Sequence, residues 1–121
     1  MDKEISAVDT AFLLKNNIDA AILDVREDNE FSICNIEGAL HIPMAEVPDR
    51  YAELPKDAPL IVFCHHGMRS LKVVEYLRAR GLEKAINLTG GIHAWANEVD
   101  EEMPQYLSLI HISEPTRLWT I

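Results

Sequence analysis

Cysteine is scarce in this chain. It occupies two of 121 positions, Cys34 and Cys64, and never forms a C-x-x-C pair. That spacing excludes a thioredoxin-type dithiol and a four-cysteine zinc site. One disulfide would use both residues, but two thiols in a reducing compartment are more often free. Long apolar runs are missing as well, and none approaches the ~20 residues of a membrane-spanning helix. The opening "MDKEISAVDT" has neither the basic start nor the apolar stretch of a secretory signal, so a cytoplasmic location is the default expectation. Basic residues are few, 11 Lys and Arg against 20 Asp and Glu, for a formal net charge of −9. A surface this negative repels phosphate backbones and anionic bilayers, so neither nucleic acid nor a membrane is expected as a partner.

What is present suits one compact domain: 48% of residues are hydrophobic, enough for a single core. Ser6 followed by Asp9 resembles a capping box and predicts a helix over about Ala7 to Asn16, with Val8, Ala11 and Phe12 as its apolar stripe. "AAILDV" (Ala20 to Val25), "ALHIP" (Ala39 to Pro43), "LIVF" (Leu60 to Phe63) and "KAINL" predict short strands. LIVF is apolar on both faces, as a central parallel strand is. Between them, "REDNEFSI" predicts a short helix or turn with Phe31 and Ile33 inward, and Val47, Tyr51 and Leu54 predict a helix over Ala45 to Leu54. A further helix is expected from Arg69 to Arg80, stopped by Gly81, and another after Gly90 and Gly91, with Ile92, Trp95, Ala96 and Val99 on one face. Alternating strands and helices predict an α/β fold with a mainly parallel sheet, whose ligands sit at the carboxyl ends of strands. "LSLIHISEPTRLWTI" (Leu107 to Ile121) lacks clear periodicity and resembles a translated cloning adapter. It is expected to be a non-native or disordered tail, leaving residues 1–106 as the domain.

The chemistry gathers in "CHHGMRS", Cys64 to Ser70, where the most apolar strand stops at a cysteine. In a tight strand-to-helix loop the amide N–H groups lack helical partners and converge on an anion site. A thiol placed there loses its proton more readily than a free cysteine, whose pKa is about 8.5. The thiolate is the nucleophile. Gly67 provides the backbone freedom such a loop needs. Arg69 offers a planar fork of donors to an oxyanion, and Ser70 a hydroxyl to the sulfur or the helix end. The plainer alternatives are an inert buried Cys64 and an Arg69 paired with a surface acid. No metal is expected, because the adjacent His65 and His66 make a poor chelate and no third ligand is evident in the sequence. Cys34 is expected to be a passive thiol, His41 and His93 ordinary hydrogen-bonded histidines, and Trp95 core.

In this order and spacing, "LDVRE" (Leu23 to Glu27), "EF" (Glu30 and Phe31), "IEGALHIP" (Ile36 to Pro43), "CHHGMRS" and "LTGGIHAW" (Leu88 to Trp95) resemble the single-domain rhodaneses, or thiosulfate sulfurtransferases, over about Ile5 to Tyr106. The resemblance departs at Cys34-Asn35, where the family often has Gly-His. It implies a rhodanese-like fold, a central sheet of about five short, mainly parallel strands with helices on both faces. It also implies that Cys64 accepts a sulfane sulfur as a persulfide and passes it to cyanide or a thiol. His65, His66, Gly67, Met68, Arg69 and Ser70 would bind that sulfur and its anionic donor, thiosulfate or a persulfide. Asp24 and Arg26 would support the sheet edge and nearby loops. No cofactor is implied. The implied partners are a small anionic sulfur donor and a thiol acceptor, with a sulfur-carrier protein as one option, and a monomer is the default for this size. Four residues separate Cys64 from Arg69, against five in the related phosphatases and arsenate reductases, so the narrower cradle favours sulfur. Two alternatives remain at this level: a non-catalytic rhodanese-like binding module, and a phosphatase or arsenate reductase.

Overall fold

The computed structural model describes residues 3–16, 19–36 and 38–99; the expected tail, Leu107 to Ile121, and the end of the 1–106 domain lie outside them. The elements alternate along the chain: β1 (Glu4–Ile5), α1 (Ala7–Asn16), β2 (Ala21–Asp24), α2 (Asp28–Ile33), β3 (Leu40–His41), α3 (Val47–Arg50), β4 (Leu60–Phe63), α4 (Met68–Ala79), β5 (Ala85–Leu88) and α5 (Gly91–Glu98). Among the described residues the strands form one sheet of order β1-β5-β4-β2-β3, parallel at every pairing. This is the expected α/β architecture. No helix among these residues is long and apolar enough to cross a membrane.

β4 is central and every one of its residues is buried. Its side chains alternate between two cores, as the two-residue period of a strand requires. Leu60, Val62 and Cys64 join Val73, Val74 and Leu77 of α4. Ile61 and Phe63 join Ala7 of α1 and Ile92, Trp95 and Ala96 of α5 on the opposite face. Helices therefore cover both faces, and Trp95 is core, as expected. α4 ends in a Schellman motif: Gly81 has φ +97°, Leu82 N–H donates to Leu77 O at 3.0 Å, and Gly81 N–H donates to Arg78 O at 3.2 Å.

Several elements differ from expectation. α1 begins where Ser6 Oγ accepts the Asp9 N–H at 3.0 Å, but of its predicted stripe only Ala11 packs against the core: Val8 is 56% and Phe12 69% exposed, while Ala7 and Thr10 are buried. Thr10 can be buried because its hydroxyl donates to Ser6 O at 2.7 Å. Ile33 is 40% exposed rather than inward, and Phe31 stacks on His41 with centroids 4.3 Å apart. The predicted helix over Ala45 to Leu54 is three short pieces: a 3₁₀ turn at Met44–Glu46, α3, and a 3₁₀ turn at Tyr51–Glu53. Pro48 removes the N–H that would close onto Met44, and Arg50 leaves the helical region at φ −126°. β1, which adds an edge strand beside β5, had no signal strong enough to predict.

Candidate active site

Cys64 is the first residue beyond β4, and the loop Cys64–Gly67 runs straight into the first turn of α4. Two constraints shape that loop. Gly67 has φ +101°, a conformation costly for any other residue, and this turns its N–H towards the sulfur. Behind the loop, Ile92 N–H donates to Cys64 O at 2.8 Å and His93 N–H donates to His65 O at 3.1 Å, so the start of α5 ties down the first two loop carbonyls. The approach is possible only because residue 91 is glycine: a Cβ there would lie 2.3 Å from Cys64 O and 2.5 Å from His65 O.

Cys64 is 1% exposed, a free thiol. Its Sγ accepts the Gly67 N–H at 3.1 Å and the Ser70 hydroxyl at 3.4 Å. Burial pushes the thiol pKa up, but the Ser70 hydroxyl and the backbone N–H groups of Ser70, Gly67 and Arg69 outweigh it, leaving the pKa below its ordinary value. These donors all favour the charged form. Ser70 is fully buried and its hydroxyl also reaches Asn87 Oδ1. One proton thus serves two acceptors. The hydroxyl can swing this hydrogen bond from the Asn87 amide oxygen to the sulfur as the thiol ionises, its proton staying on Ser70 Oγ.

Asn87, on β5, is the buried polar residue that organises the loop. Its Nδ2 donates to Gly67 O at 3.1 Å and to Glu4 Oε1 at 3.0 Å. The sequence signal was an amide inside the otherwise apolar "AINL", which a buried strand tolerates only with partners.

Arg69 projects from the first turn of α4 and forms a two-pronged pair with Glu30, Nη1 to Oε1 at 2.8 Å and Nη2 to Oε2 at 3.0 Å. The alternative of an acid partner is therefore realised, by the glutamate of the "EF" landmark. That glutamate also closes the start of α2, its Oε1 accepting the Glu27 N–H at 3.1 Å. Met68, the first residue of α4, is 76% exposed.

Asp24 and Arg26 are both fully buried and pair directly, Nη2 to Oδ2 at 2.6 Å. Asp24 Oδ1 also accepts the Arg26 N–H at 2.9 Å, and Arg26 Nη2 donates to Cys34 O at 2.6 Å. Burial works against the Arg26 charge, but the bond and charge of Asp24 more than restore it and raise the pKa. The pair clamps the end of β2 to the Cys34 segment. Burial raises the Cys34 thiol pKa despite the nearby Arg26, which fits a passive thiol. His41 Nε2 lies 2.8 Å from Arg26 O.

The histidines depart from expectation. His65 is buried, and desolvation, with the neighbouring His66 and His93, lowers its pKa to about 4. It is a neutral imidazole near pH 7 and offers no positive charge to an anion at this loop. His93 is not an ordinarily satisfied side chain: its Nδ1 is buried with no hydrogen-bond partner among the described residues.

Comparison with known proteins agrees with this geometry. Residues 10–98 match the family described as Rhodanese-like domain. The chain is 33% identical over 95 residues to the thiosulfate sulfurtransferase GlpE of Coxiella burnetii, covering 78% of this chain and 88% of that protein. It superposes on the crystal structure of a rhodanese-like domain protein from Staphylococcus aureus with a TM-score of 0.74 at 38% identity, covering 80% of this chain and 94% of that one. It is also 35% identical over 113 residues to the adenylyltransferase and sulfurtransferase MOCS3 of Drosophila virilis, but spans only 25% of that protein's length.

Proposed function

The chain belongs to the rhodanese-like domain family, and from that premise we propose that it is a sulfurtransferase working through a persulfide on Cys64. The thiolate attacks the outer sulfur of an anionic donor such as thiosulfate. The bond between that sulfur and the sulfonate breaks, and sulfite leaves with the electron pair. An acceptor, cyanide in an assay or a thiolate in a cell, then attacks the outer sulfur of the Cys64 persulfide and regenerates the thiolate.

The observation that carries this reading is the convergence of the Gly67 N–H and the Ser70 hydroxyl on one sulfur. The same donors suit the anionic outer sulfur of the persulfide, because donors aimed at developing charge stabilise it without reorganising. Gly67 and Ser70 are thus the sulfur-binding groups. The backbone of His65, His66 and Met68 completes the short loop, and Arg69 contributes charge for the donor. Asp24 and Arg26 hold the scaffold. Likeness to a protein named thiosulfate sulfurtransferase supports thiosulfate as the first donor to test.

The test is thiocyanate formation from thiosulfate and cyanide. Wild-type protein is expected to turn over, and Cys64→Ser to lose at least about 10³-fold, as removal of a covalent nucleophile does, while its unfolding midpoint stays near wild type. Full activity in Cys64→Ser would assign the nucleophile elsewhere. A wild-type protein inert to thiosulfate and to small persulfides alike would leave the binding-module alternative in its place.

A further inference from the structure

Three imidazoles meet at the Cys64 loop. His65 and His66 follow the cysteine, and α5 brings His93 across from a position 27 residues further along the chain. Ring centroids are 4.0 Å apart for His65 and His66, 5.8 Å for His65 and His93, and 5.1 Å for His66 and His93. One ring nitrogen from each lies within 4.8 Å of the other two. The backbone fixes this meeting, since His93 N–H donates to His65 O. An independent observation concerns His93 itself: its Nδ1 is buried without a partner among the described residues, a state native proteins rarely leave unexplained. Its Nε2 is 3.2 Å from Asn97 Nδ2, one turn further along α5.

We propose that His65, His66 and His93 form a binding site for a divalent transition-metal ion of the zinc, cobalt or nickel class, with the remaining coordination positions open. Imidazole suits these ions, and three protein nitrogens with an open position is an established zinc arrangement. Tetrahedral ligation at about 2.1 Å sets donor nitrogens about 3.4 Å apart, so each pair closes by about 1.4 Å or less. The exposed ring of His66 supplies that movement for its own two pairs, and rotation of the His65 and His93 side chains closes the third. Ligation through the buried His93 Nδ1 would place the ring proton on Nε2, where the Asn97 side-chain amide, turned to present Oδ1, would accept it as outer-shell groups do. In the sequence the adjacent pair looked insufficient because the third ligand comes from another element.

The experiment is titration of chelator-treated, full-length protein with Zn²⁺ by calorimetry and with Co²⁺ by visible absorption. One ion per chain is expected, at a dissociation constant of about 10 μM or tighter. Both His66→Ala and His93→Ala are expected to weaken binding about 100-fold or more, while His41→Asn and Cys64→Ser leave it unchanged. His66 is exposed, so His66→Ala decides the matter even where His93→Ala disturbs α5; circular dichroism of the metal-free variants checks folding. The proposal is overturned by the lack of stoichiometric binding, by binding that survives both histidine variants, or by binding lost in Cys64→Ser. These readouts do not involve sulfur transfer, so they stand or fall apart from the proposed activity.

Discussion

Arg69 is the residue whose role the structure changes most. Its fixed charge and planar donors suit an anionic donor, but both terminal nitrogens are on Glu30. The acid therefore competes with any donor for the guanidinium. Arg69→Ala is expected to raise the KM for thiosulfate about tenfold with kcat little changed, the pattern of lost ground-state binding. Glu30→Gln, which removes the charge and keeps the shape, is expected to lower that KM several-fold, a modest effect because the arginine is partly exposed. Steady-state kinetics with varied thiosulfate checks both, and a change confined to the acceptor's KM would contradict the assignment. Cys64 and Arg69 were legible as residues. Glu30 was legible only as half of a landmark, because nothing in one dimension places it beside a side chain 39 positions away.

At the scale of elements, the junction of β4, the Cys64 loop and α5 is the part least tolerant of change. Gly91→Ala drives a Cβ into Cys64 O and His65 O at 2.3 and 2.5 Å, and both atoms are backbone held by hydrogen bonds. A loss of about 2–4 kcal/mol is expected from overpacking together with the positive φ, accompanied by a fall in activity. Gly81→Ala is the control: it has a positive φ but open space around it, so about 1 kcal/mol is expected with activity retained. Urea unfolding of both variants measures the difference, and equal costs would remove the close approach from the account. The elements read well from sequence where local signals agree with packing, as at Leu60–Phe63 and at the Gly81 stop. They read badly where packing overrides pattern. Val8 and Phe12 promised a buried stripe on α1, but Ala7 and Thr10 are the residues buried there instead. Over Ala45 to Leu54 the apolar spacing was helical, but Pro48 and the Arg50 backbone divided the segment. His93 and Asn87 join the site from α5 and β5, contacts set by strand order rather than by spacing.

For the molecule as a whole, charge is the dominant global property. With a net charge of −9, the protein repels an approaching thiosulfate dianion, and Glu30 offsets the one arginine in the first turn of α4. Raising ionic strength from about 10 to 150 mM shortens the range of that repulsion to about 8 Å. kcat/KM for thiosulfate is therefore expected to rise about twofold, and a fall would mean that a local attraction at the loop outweighs the global field. The sheet order places β4 at the centre and the loop after it at the carboxyl edge, where parallel α/β sheets present their sites. The same arrangement buries the Asp24–Arg26 pair beside β4, where loss of one partner would leave a charge without compensation.

The most direct measurement is intact-protein mass spectrometry of the chain after incubation with thiosulfate, followed by peptide mapping and by treatment with cyanide. A gain of one sulfur atom, located on Cys64 and removed by cyanide, is expected. No gain from thiosulfate or any small persulfide, or a gain that persists in Cys64→Ser, would contradict it.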